Sequence, residues 1–163
     1  MVGRMREHGC MTITASGRPA YVVNVPVLLR RRERWLLIRR GAGESHAPGQ
    51  LCDVGGKVDS RAAAEPDILE STARREVLEE VGLDITGVPL CFAESALFTT
   101  DDGDPVVNVL FAADLPDGPQ PRIAAPDEVA ELDWLTWAEA AGRPDCPPWT
   151  LRMLQSAAAA LMV

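Results

Sequence analysis

The stretch of sequence that decides the fold covers residues 55–83 and reads GGKVDSRAAAEPDILESTARREVLEEVGL. Its second half repeats an apolar residue every four positions from Leu69 to Val81, which is the spacing of a helix with one apolar face. Gly82 follows directly, and glycine is a common residue just past the end of a helix. The sequence therefore predicts a helix over residues 68–81 that packs on a sheet.

Three glutamates share one face of this predicted helix. Glu76, Glu79 and Glu80 stand at positions i, i+3 and i+4, within an arc of about 100°. Exposed like charges at this spacing repel by a few tenths of a kcal/mol per pair, and a hard cation with oxygen ligands would remove the repulsion. The structural alternative is a solvated acidic face. Arg75 lies four residues before Glu79 and is placed to pair with it and orient it.

The start of the segment carries further local signals. Asp67 is a candidate N-cap of the helix, and Glu70 three residues later completes a capping-box pattern. Upstream, Gly55 and Gly56 permit backbone conformations that are closed to other residues.

The rest of the chain mixes strand-like and helix-like segments. The first strand contains Pro26, which suggests an edge position or a bulge. Because strands outnumber helices and the helices lie among them, the predicted fold class is α/β in the mixed (α+β) sense. The predicted strands cover residues 21–31, 35–40, 51–54, 87–100, 106–115 and 132–136, and the later helices cover residues 137–141 and 150–161.

The composition limits the classes of protein to which the chain can belong. Its 163 residues suit one domain, which we expect over residues 19–163 behind a disordered leader over residues 1–18. Sixteen basic against 24 acidic residues give a net charge of −8, which disfavours long nucleic acid and anionic membranes as partners. No apolar stretch approaches the roughly 18 residues of a membrane span. Four cysteines without CxxC spacing, and no signal peptide, predict reduced thiols and a cytoplasmic location.

The string GGKV…REVLEEVGL closely resembles the Nudix box of the Nudix (MutT-like) hydrolases. That pattern is a glycine, five residues, a glutamate, seven residues and then REUxEExGU, where U is a bulky aliphatic residue. The second half is complete here, from Arg75 to Leu83. In the first half Asp67 stands where the family usually has glutamate, and Gly56 lies nineteen residues before Arg75 instead of fourteen. About five extra residues are therefore expected within residues 60–66.

The resemblance extends over about residues 20–140 and implies both a fold and an activity. The fold would be a mixed β-sheet sandwiched between α-helices, with a loop–helix–loop catalytic box. Family members hydrolyse a nucleoside diphosphate linked to another moiety X, and they need Mg²⁺ or Mn²⁺. Such an ion neutralises developing charge on the diphosphate and lowers the pKa of bound water.

The resemblance also assigns roles to residues of the box. It implies Glu76, Glu79 and Glu80 as metal ligands, with a backbone contact from Gly56. The catalytic residues would be Glu79, Arg75 and Glu80, where Glu79 helps as a base and Arg75 orients the carboxylates.

Outside the box, each candidate residue has an ordinary structural alternative. Arg39, Arg40 and Lys57 are candidates to bind substrate phosphates, against solvated side chains. Glu128, in the late acidic segment DEVAELDWLT, is a candidate base or extra metal ligand, against a surface carboxylate. His46 is a weaker candidate base.

Two further groups of residues stay ambiguous at this stage. Trp137 and Trp149 could stack on a nucleobase or simply pack. The acidic turn at residues 101–105 could supply a base or simply close a hairpin.

Two classes of function stay open, a hydrolase and a catalytically inactive Nudix-fold module that senses a nucleotide. Such modules usually lose box carboxylates, whereas all three are present here, which favours the hydrolase. The expected substrate is a small nucleotide: a nucleoside triphosphate, a nucleotide sugar or a dinucleotide. Family members are often dimers, so a homodimer is also implied.

Overall fold

Seven strands and three helices form the part of the chain that this computed structural model describes, residues 16–44, 46–59, 66–100 and 102–162. Residues 1–15 of the predicted leader and residues 60–65 of the predicted insertion lie outside the described residues, so the domain boundaries stay predictions. The elements are β1 (Val22–Arg31), β2 (Arg34–Arg40), β3 (Leu51–Cys52), β4 (Val54–Lys57), α1 (Ile68–Val81), β5 (Cys91–Thr99), β6 (Pro105–Asp114), β7 (Val129–Leu135), α2 (Trp137–Ala141) and α3 (Pro148–Ala160).

The strands form one mixed sheet in the order β3-β2-β1-β6-β5, with β4 paired to β1 and β7 paired to β2. β1 runs parallel to β6 and antiparallel to both β2 and β4. Val22 at the start of β1 pairs with Val106 at the start of β6, and Phe98 of β5 pairs with the same Val106. This non-local pairing brings the β5–β6 hairpin turn beside the start of β1.

Alternating side chains of the central strands build a core on each face of the sheet. On one face, Val25 and Val27 of β1 belong to the same buried cluster as Val77 of α1. On the other face, Leu28 of β1 clusters with Leu154 of α3. Helices therefore cover both faces, which confirms the predicted mixed sheet sandwiched between helices.

Pro26 lies in a central strand, so the predicted edge position is wrong. β1 has β6 on one side and β2 and β4 on the other, and Pro26 itself pairs with Gly55 of β4. The predicted bulge is absent too, since Asn24 pairs with Asn108 and Val27 with Phe111 at one constant offset. Neither Val25 nor Pro26 has a registered partner in β6. This gap in the ladder accommodates a residue without an N–H group.

The helix predicted over residues 68–81 has the bounds predicted for it, and Gly82 ends it with φ of +64°. The predicted capping box at its start is wrong. Asp67 has φ of +54° and ψ of +38°, and its side chain makes no capping hydrogen bond. A capping side chain normally extends from a β-region backbone to the free N–H groups of the first turn, and a left-handed residue does not present it that way.

Other predicted elements are displaced by a few residues. β5 begins at Cys91 instead of residue 87, because Val88 N–H closes a turn by donating to the Ile85 carbonyl at 3.0 Å. The single apolar run at residues 51–54 is divided into β3 and β4. α3 begins at Pro148, where a missing N–H is harmless in the first turn. Within the described ranges, none of the helices has both the length and the apolar character to cross a membrane.

Candidate active site

A cavity of about 610 Å³ is lined by α1, by β4 and by the β5–β6 hairpin. This volume lies in the usual range of small-molecule sites, roughly 300–1,000 Å³. Its walls combine residues of the box with side chains from distant parts of the chain. The lining residues are Asn24, Ile38, Arg40, Glu44, His46, Gly55, Gly56, Lys57, Val58, Asp59, Arg75, Glu76, Glu79, Glu80, Phe98, Thr100, Asp102, Asp104, Val106 and Glu128.

Gly56 lies directly against the carboxylate of Glu76. A Cβ added at position 56 would lie 2.3 Å from both Cδ and Oε1 of Glu76, far inside van der Waals contact. Glu76 is largely buried, and burial raises the pKa of its carboxyl group while the adjacent Arg75 charge opposes that rise. Only glycine at position 56 leaves room for the carboxylate in this position.

Glu80 is the most buried carboxylate of the cavity, with 5% of the residue exposed. The backbone N–H of Gly55 donates to the carboxyl group, whereas Oε2 is buried and has no hydrogen-bond partner among the described residues. Burial first, and then the charges of Glu76 and Glu128, raise the pKa of Glu80 to about 8. A buried acidic oxygen without a donor is costly, so a proton or a cation is expected at this atom.

Arg75 bridges the other two glutamates of the box. Its Nη2 lies 2.6 Å from Oε1 of Glu76, and its Nη1 lies 2.7 Å from Oε2 of Glu79. Nη2 also donates to the carbonyl of Lys57 at 3.3 Å. The predicted Arg75–Glu79 ion pair is therefore present. Glu79 differs from the two buried glutamates in that more than half of its side chain is exposed.

The segment before β7 places Glu128 at the cavity. The N–H groups of Ala124 and Ala125 donate to the Glu80 carbonyl at 2.9 and 3.4 Å, which ties this segment to the end of α1. On the other side, Gly41 N–H donates to the Glu128 carbonyl at 2.7 Å. The charge of Glu128 contributes to the raised pKa of both Glu76 and Glu80. The carboxylate of Glu128 thus belongs electrostatically to the same group.

The structure separates the three basic residues proposed from the sequence as phosphate contacts. Arg40 and Lys57 line the cavity, whereas Arg39 does not. The Arg39 guanidinium is paired instead with Asp145 at 2.7 Å and Glu131 at 3.0 Å. Neighbouring residues of a strand point to opposite faces, so Arg39 and Arg40 do not share a cavity.

Several residues of the cavity did not emerge from the sequence as site residues. Phe98 and Asn24 are the clearest cases, since each lies in an ordinary strand and reaches the cavity only through the pairing of β1, β6 and β5. Strand alternation gave no signal for either of them. The acidic turn, which the sequence left open as a possible source of a base, does line the cavity with Asp102 and Asp104.

The carboxylates fit a hard divalent cation in their chemistry. Carboxylate oxygens are the donors that Mg²⁺ and Mn²⁺ prefer, and Oε2 of Glu80 is a buried acceptor without a donor. In the described part of the chain, however, no three acidic, histidine or cysteine side chains are already gathered around a common ion position. Arg75 holds Glu76 and Glu79 in this arrangement, so a cation would compete with Arg75 for these two groups.

The chain matches the family described as NUDIX domain over residues 19–156. It belongs to the NUDIX family. The matched span includes all elements from β1 to β7 and most of α3, so the whole cavity lies inside the NUDIX domain. Among curated proteins, none matches the sequence of this chain.

Solved NUDIX structures share the fold at low sequence identity. A MutT NUDIX hydrolase from Burkholderia pseudomallei is 23% identical, with a TM-score of 0.67 over 84% of this chain and 98% of that one. The NUDIX domain of Shewanella oneidensis NrtR, solved in complex with ADP ribose, is 18% identical, with a TM-score of 0.72 over 91% and 93%. An Ap4A hydrolase from C. elegans is 18% identical, with a TM-score of 0.67 over 86% and 98%.

Proposed function

We propose that this NUDIX chain is a divalent-metal-dependent hydrolase that cleaves the diphosphate bridge of a nucleoside diphosphate linked to another group. The observation that carries the proposal is Glu80, a buried carboxylate with an unpartnered oxygen beside Glu76, on the wall of a cavity of substrate size. Other NUDIX structures include a MutT hydrolase and an Ap4A hydrolase, which supports an activity of this type.

Glu76, Glu79 and Glu80 would hold Mg²⁺ or Mn²⁺, and the backbone at Gly56 would approach the same place. When bound, such an ion neutralises charge that develops on the bridging phosphates and lowers the pKa of a bound water. Gly56 keeps the space that the Glu76 carboxylate needs. Glu80 would have to lose its proton, because a raised pKa means that the protonated form is populated near neutral pH.

Arg75 is the proposed positioning residue. In the structure it holds Glu76 and Glu79 by two short ion pairs, which keeps both carboxylates turned toward the cavity. On ion binding we expect Arg75 to keep Glu79 and to release Glu76, since the guanidinium and a cation compete for the same oxygens.

Arg40 and Lys57 are the proposed phosphate contacts, since both line the cavity. Arg40 is paired with Glu44 and donates from Nε to the His46 carbonyl at 2.9 Å. It therefore also holds the loop that follows β2 in place. Arg39 is left out of the proposed site because its partners Glu131 and Asp145 hold it elsewhere.

Glu128 is the proposed base, which would accept a proton from the attacking water. Its backbone is anchored on both sides, because its carbonyl accepts a hydrogen bond from Gly41 N–H and its own N–H donates to the Ala125 carbonyl, so its position relative to Glu80 is determined by the fold. The Glu128 side chain is exposed, so its carboxylate is accessible to a water that enters the cavity.

A nucleotide-binding module without hydrolysis is the second candidate. The specific observation in its favour is that the described carboxylates are not gathered around an ion position, since Arg75 occupies two of them. The NrtR NUDIX domain was solved in complex with ADP ribose, so a NUDIX domain can hold such a ligand.

Hydrolysis of a nucleotide panel tests the proposal directly. The full chain would be incubated with Mg²⁺ or Mn²⁺ and with nucleoside triphosphates, ADP-ribose and dinucleoside polyphosphates, and products would be separated by chromatography. We expect a nucleoside monophosphate from at least one substrate, and no product when EDTA is present. Glu80→Gln should reduce kcat by at least about 100-fold, because it removes a charge that the ion requires.

Glu70→Gln is the matched control, since Glu70 lies on the same helix outside the cavity. Tight binding of a panel member without any cleavage would instead establish the binding module. Full activity of the Glu80→Gln protein would remove the proposed metal site.

A further inference from the structure

We propose that Phe98 and His46 form a stacking subsite for the nucleobase of the substrate. This inference rests on the proposed nucleotide-cleaving function and adds where the aromatic part of that nucleotide binds. Both side chains line the cavity, on the side formed by the β5–β6 hairpin and the loop that follows β2.

The two rings already face each other. Their centroids lie 6.2 Å apart and their planes differ by 28°, within the range of stacked aromatic pairs. A nucleobase presents a π-face of the same kind, and stacking on a protein ring tolerates any base. Phe98 is partly exposed to the cavity, so its ring offers a face to a ligand.

The supporting shell holds both rings in place. Phe98 pairs in register with Val106, a buried residue of the neighbouring strand β6. On the other side, the His46 carbonyl accepts a hydrogen bond from Nε of Arg40 at 2.9 Å. One ring is therefore carried by the edge strand β5 through its pairing with β6, and the other by a loop that Arg40 holds.

The carboxylates on the hairpin side of this subsite disfavour phosphate and favour the base. Asp102 and Asp104 line the same side of the cavity, and among the described residues neither forms an ion pair. Their turn is closed by Thr100, whose N–H donates to the Asp104 carbonyl at 3.0 Å and whose Oγ1 accepts from Asp104 N–H at 3.1 Å. Fixed carboxylates repel phosphate and accept hydrogen bonds from amino or hydroxyl groups, as a base and ribose present them.

The phosphates are then expected toward α1 and β4, which contribute Arg75 and Lys57. Arg40, whose Nε donates to the His46 carbonyl, would contact the phosphate that lies next to the base and its ribose. The tryptophans considered from the sequence do not compete for the base. Trp137 borders a separate groove with Trp35 and Leu154, and Trp149 lines neither.

Binding of ligands with and without a base tests the subsite independently of cleavage. Dissociation constants of AMP, GMP, CMP, UMP and ribose 5-phosphate would be measured by calorimetry on the full chain with Mg²⁺. We expect at least one nucleotide to bind about 5- to 150-fold more tightly than ribose 5-phosphate, the effect of one stacked base. We call the dissociation constant of ribose 5-phosphate divided by that of the nucleotide the base ratio. Phe98→Ala should bring this ratio close to one and leave the affinity for ribose 5-phosphate unchanged.

Phe92→Ala is the matched control, because Phe92 is an exposed phenylalanine of the same strand outside the cavity. Phe98→Leu keeps an apolar side chain without a ring and should behave like Phe98→Ala, whereas Phe98→Trp should retain the ratio. His46→Ala should reduce the ratio by a smaller factor, since one face of the base keeps its partner.

The outcomes separate this inference from the proposed function. Equal ratios in the wild-type and Phe98→Leu proteins, or no nucleotide bound more tightly than ribose 5-phosphate, would overturn the subsite even if the chain hydrolyses nucleotides. A ratio that depends on Phe98 in a protein that cleaves none of the panel would support the subsite and overturn the hydrolase.

Discussion

Gly56 and Glu76 show how much of the site depends on single atoms. A helix places the glutamate, but only the missing Cβ of a strand residue lets its carboxylate occupy the cavity wall. Arg75 then offsets part of the cost of burying that charge. The chemistry of the site thus depends on a contact between residues of β4 and α1 that neither element determines alone.

Gly56→Ala is expected to displace the Glu76 carboxylate while the protein stays folded. The added Cβ would lie 2.3 Å from Oε1, and the end of a side chain moves more easily than the backbone of β4. We expect kcat with Mg²⁺ to fall by at least about 10-fold, which corresponds to about 1.4 kcal/mol. Gly43→Ala is the control, because a Cβ there meets nothing within 4 Å. Equal activity of the two variants would contradict the assigned role of Gly56.

The buried Glu80 carboxyl makes the stability of the metal-free protein depend on pH. Its pKa is about 8 in the folded protein, against 4.5 for an ordinary glutamate. The folded protein therefore binds a proton that the unfolded chain releases, and this contribution to stability, complete below about pH 4.5, is lost as the pH rises through 8. Urea unfolding in EDTA should show a free energy of unfolding that falls with pH, by at most about 1.4 kcal/mol per unit for one proton.

Glu80→Gln should reduce this slope, most clearly toward pH 8, since the amide does not titrate. A smaller slope should remain, because burial also raises the pKa of Asp53, to about 6, and that of Glu76. Glu70→Gln on the same helix should keep the wild-type slope. The hypothesis fails if the wild-type and Glu80→Gln proteins lose stability in parallel between about pH 5 and about pH 8.

At the scale of elements, α1 illustrates a helix whose end is conventional and whose start is not. Gly82 ends it in the left-handed conformation that glycine tolerates best. Asp67 begins it in the same conformation, without a capping hydrogen bond from its side chain. The carbonyls at the end of α1 are satisfied instead by the segment that carries Glu128, which joins two parts of the site.

Asp67→Gly is expected to stabilise the protein by roughly 0.5–1 kcal/mol. Glycine adopts positive φ without the Cβ penalty, and no capping bond is lost because none is formed. Thermal and urea unfolding would measure the change. If the Asp67 side chain did cap the helix, its removal would instead cost stability. A less stable Asp67→Gly protein would therefore contradict the uncapped start of α1.

At the scale of the whole molecule, the sheet separates two apolar cores, and a few buried hydrogen bonds connect its strands to the C-terminal segment. Thr150 of α3 is almost fully buried, and its Oγ1 donates to the carbonyl of Leu51 in β3 at 2.9 Å. The Leu51 N–H in turn donates to the Asp145 carbonyl at 2.8 Å. These bonds tie the C-terminal helix to the strand that leads into the box.

Thr150→Val should destabilise the protein by about 1–3 kcal/mol, because the buried Leu51 carbonyl loses its side-chain donor at nearly constant volume. Thr99→Val, at an exposed position of β5, serves as the control and should change stability by less than about 0.5 kcal/mol. Chemical denaturation measures both. Equal stabilities of the two variants would mean that the Thr150 bond contributes nothing.

The family, the fold class and the bounds of α1 followed from the sequence alone. Apolar spacing from Leu69 to Val81 and the glycine after it are local signals, and the bounds of a helix depend on residues that are close together in the sequence. The same spacing placed Glu76, Glu79 and Glu80 on one side and paired Arg75 with Glu79. Their roles as metal ligands stay predictions.

Tertiary structure alone decided which residues share the cavity. Arg40 lines it and Arg39 does not. Pro26 lies in a central strand of the sheet, and the ring of Phe98 stacks on that of His46, which is far from it in the sequence. Alternation separates Arg39 from Arg40, but the place of β2 in the sheet decides which of them faces the cavity. The other two depend on the parallel pairing of β1 with β6 or on the packing of a loop, which join residues far apart in the sequence. A helical repeat is visible in neighbouring residues, whereas strand order and side-chain contacts across the sheet are set by the packing of the whole core.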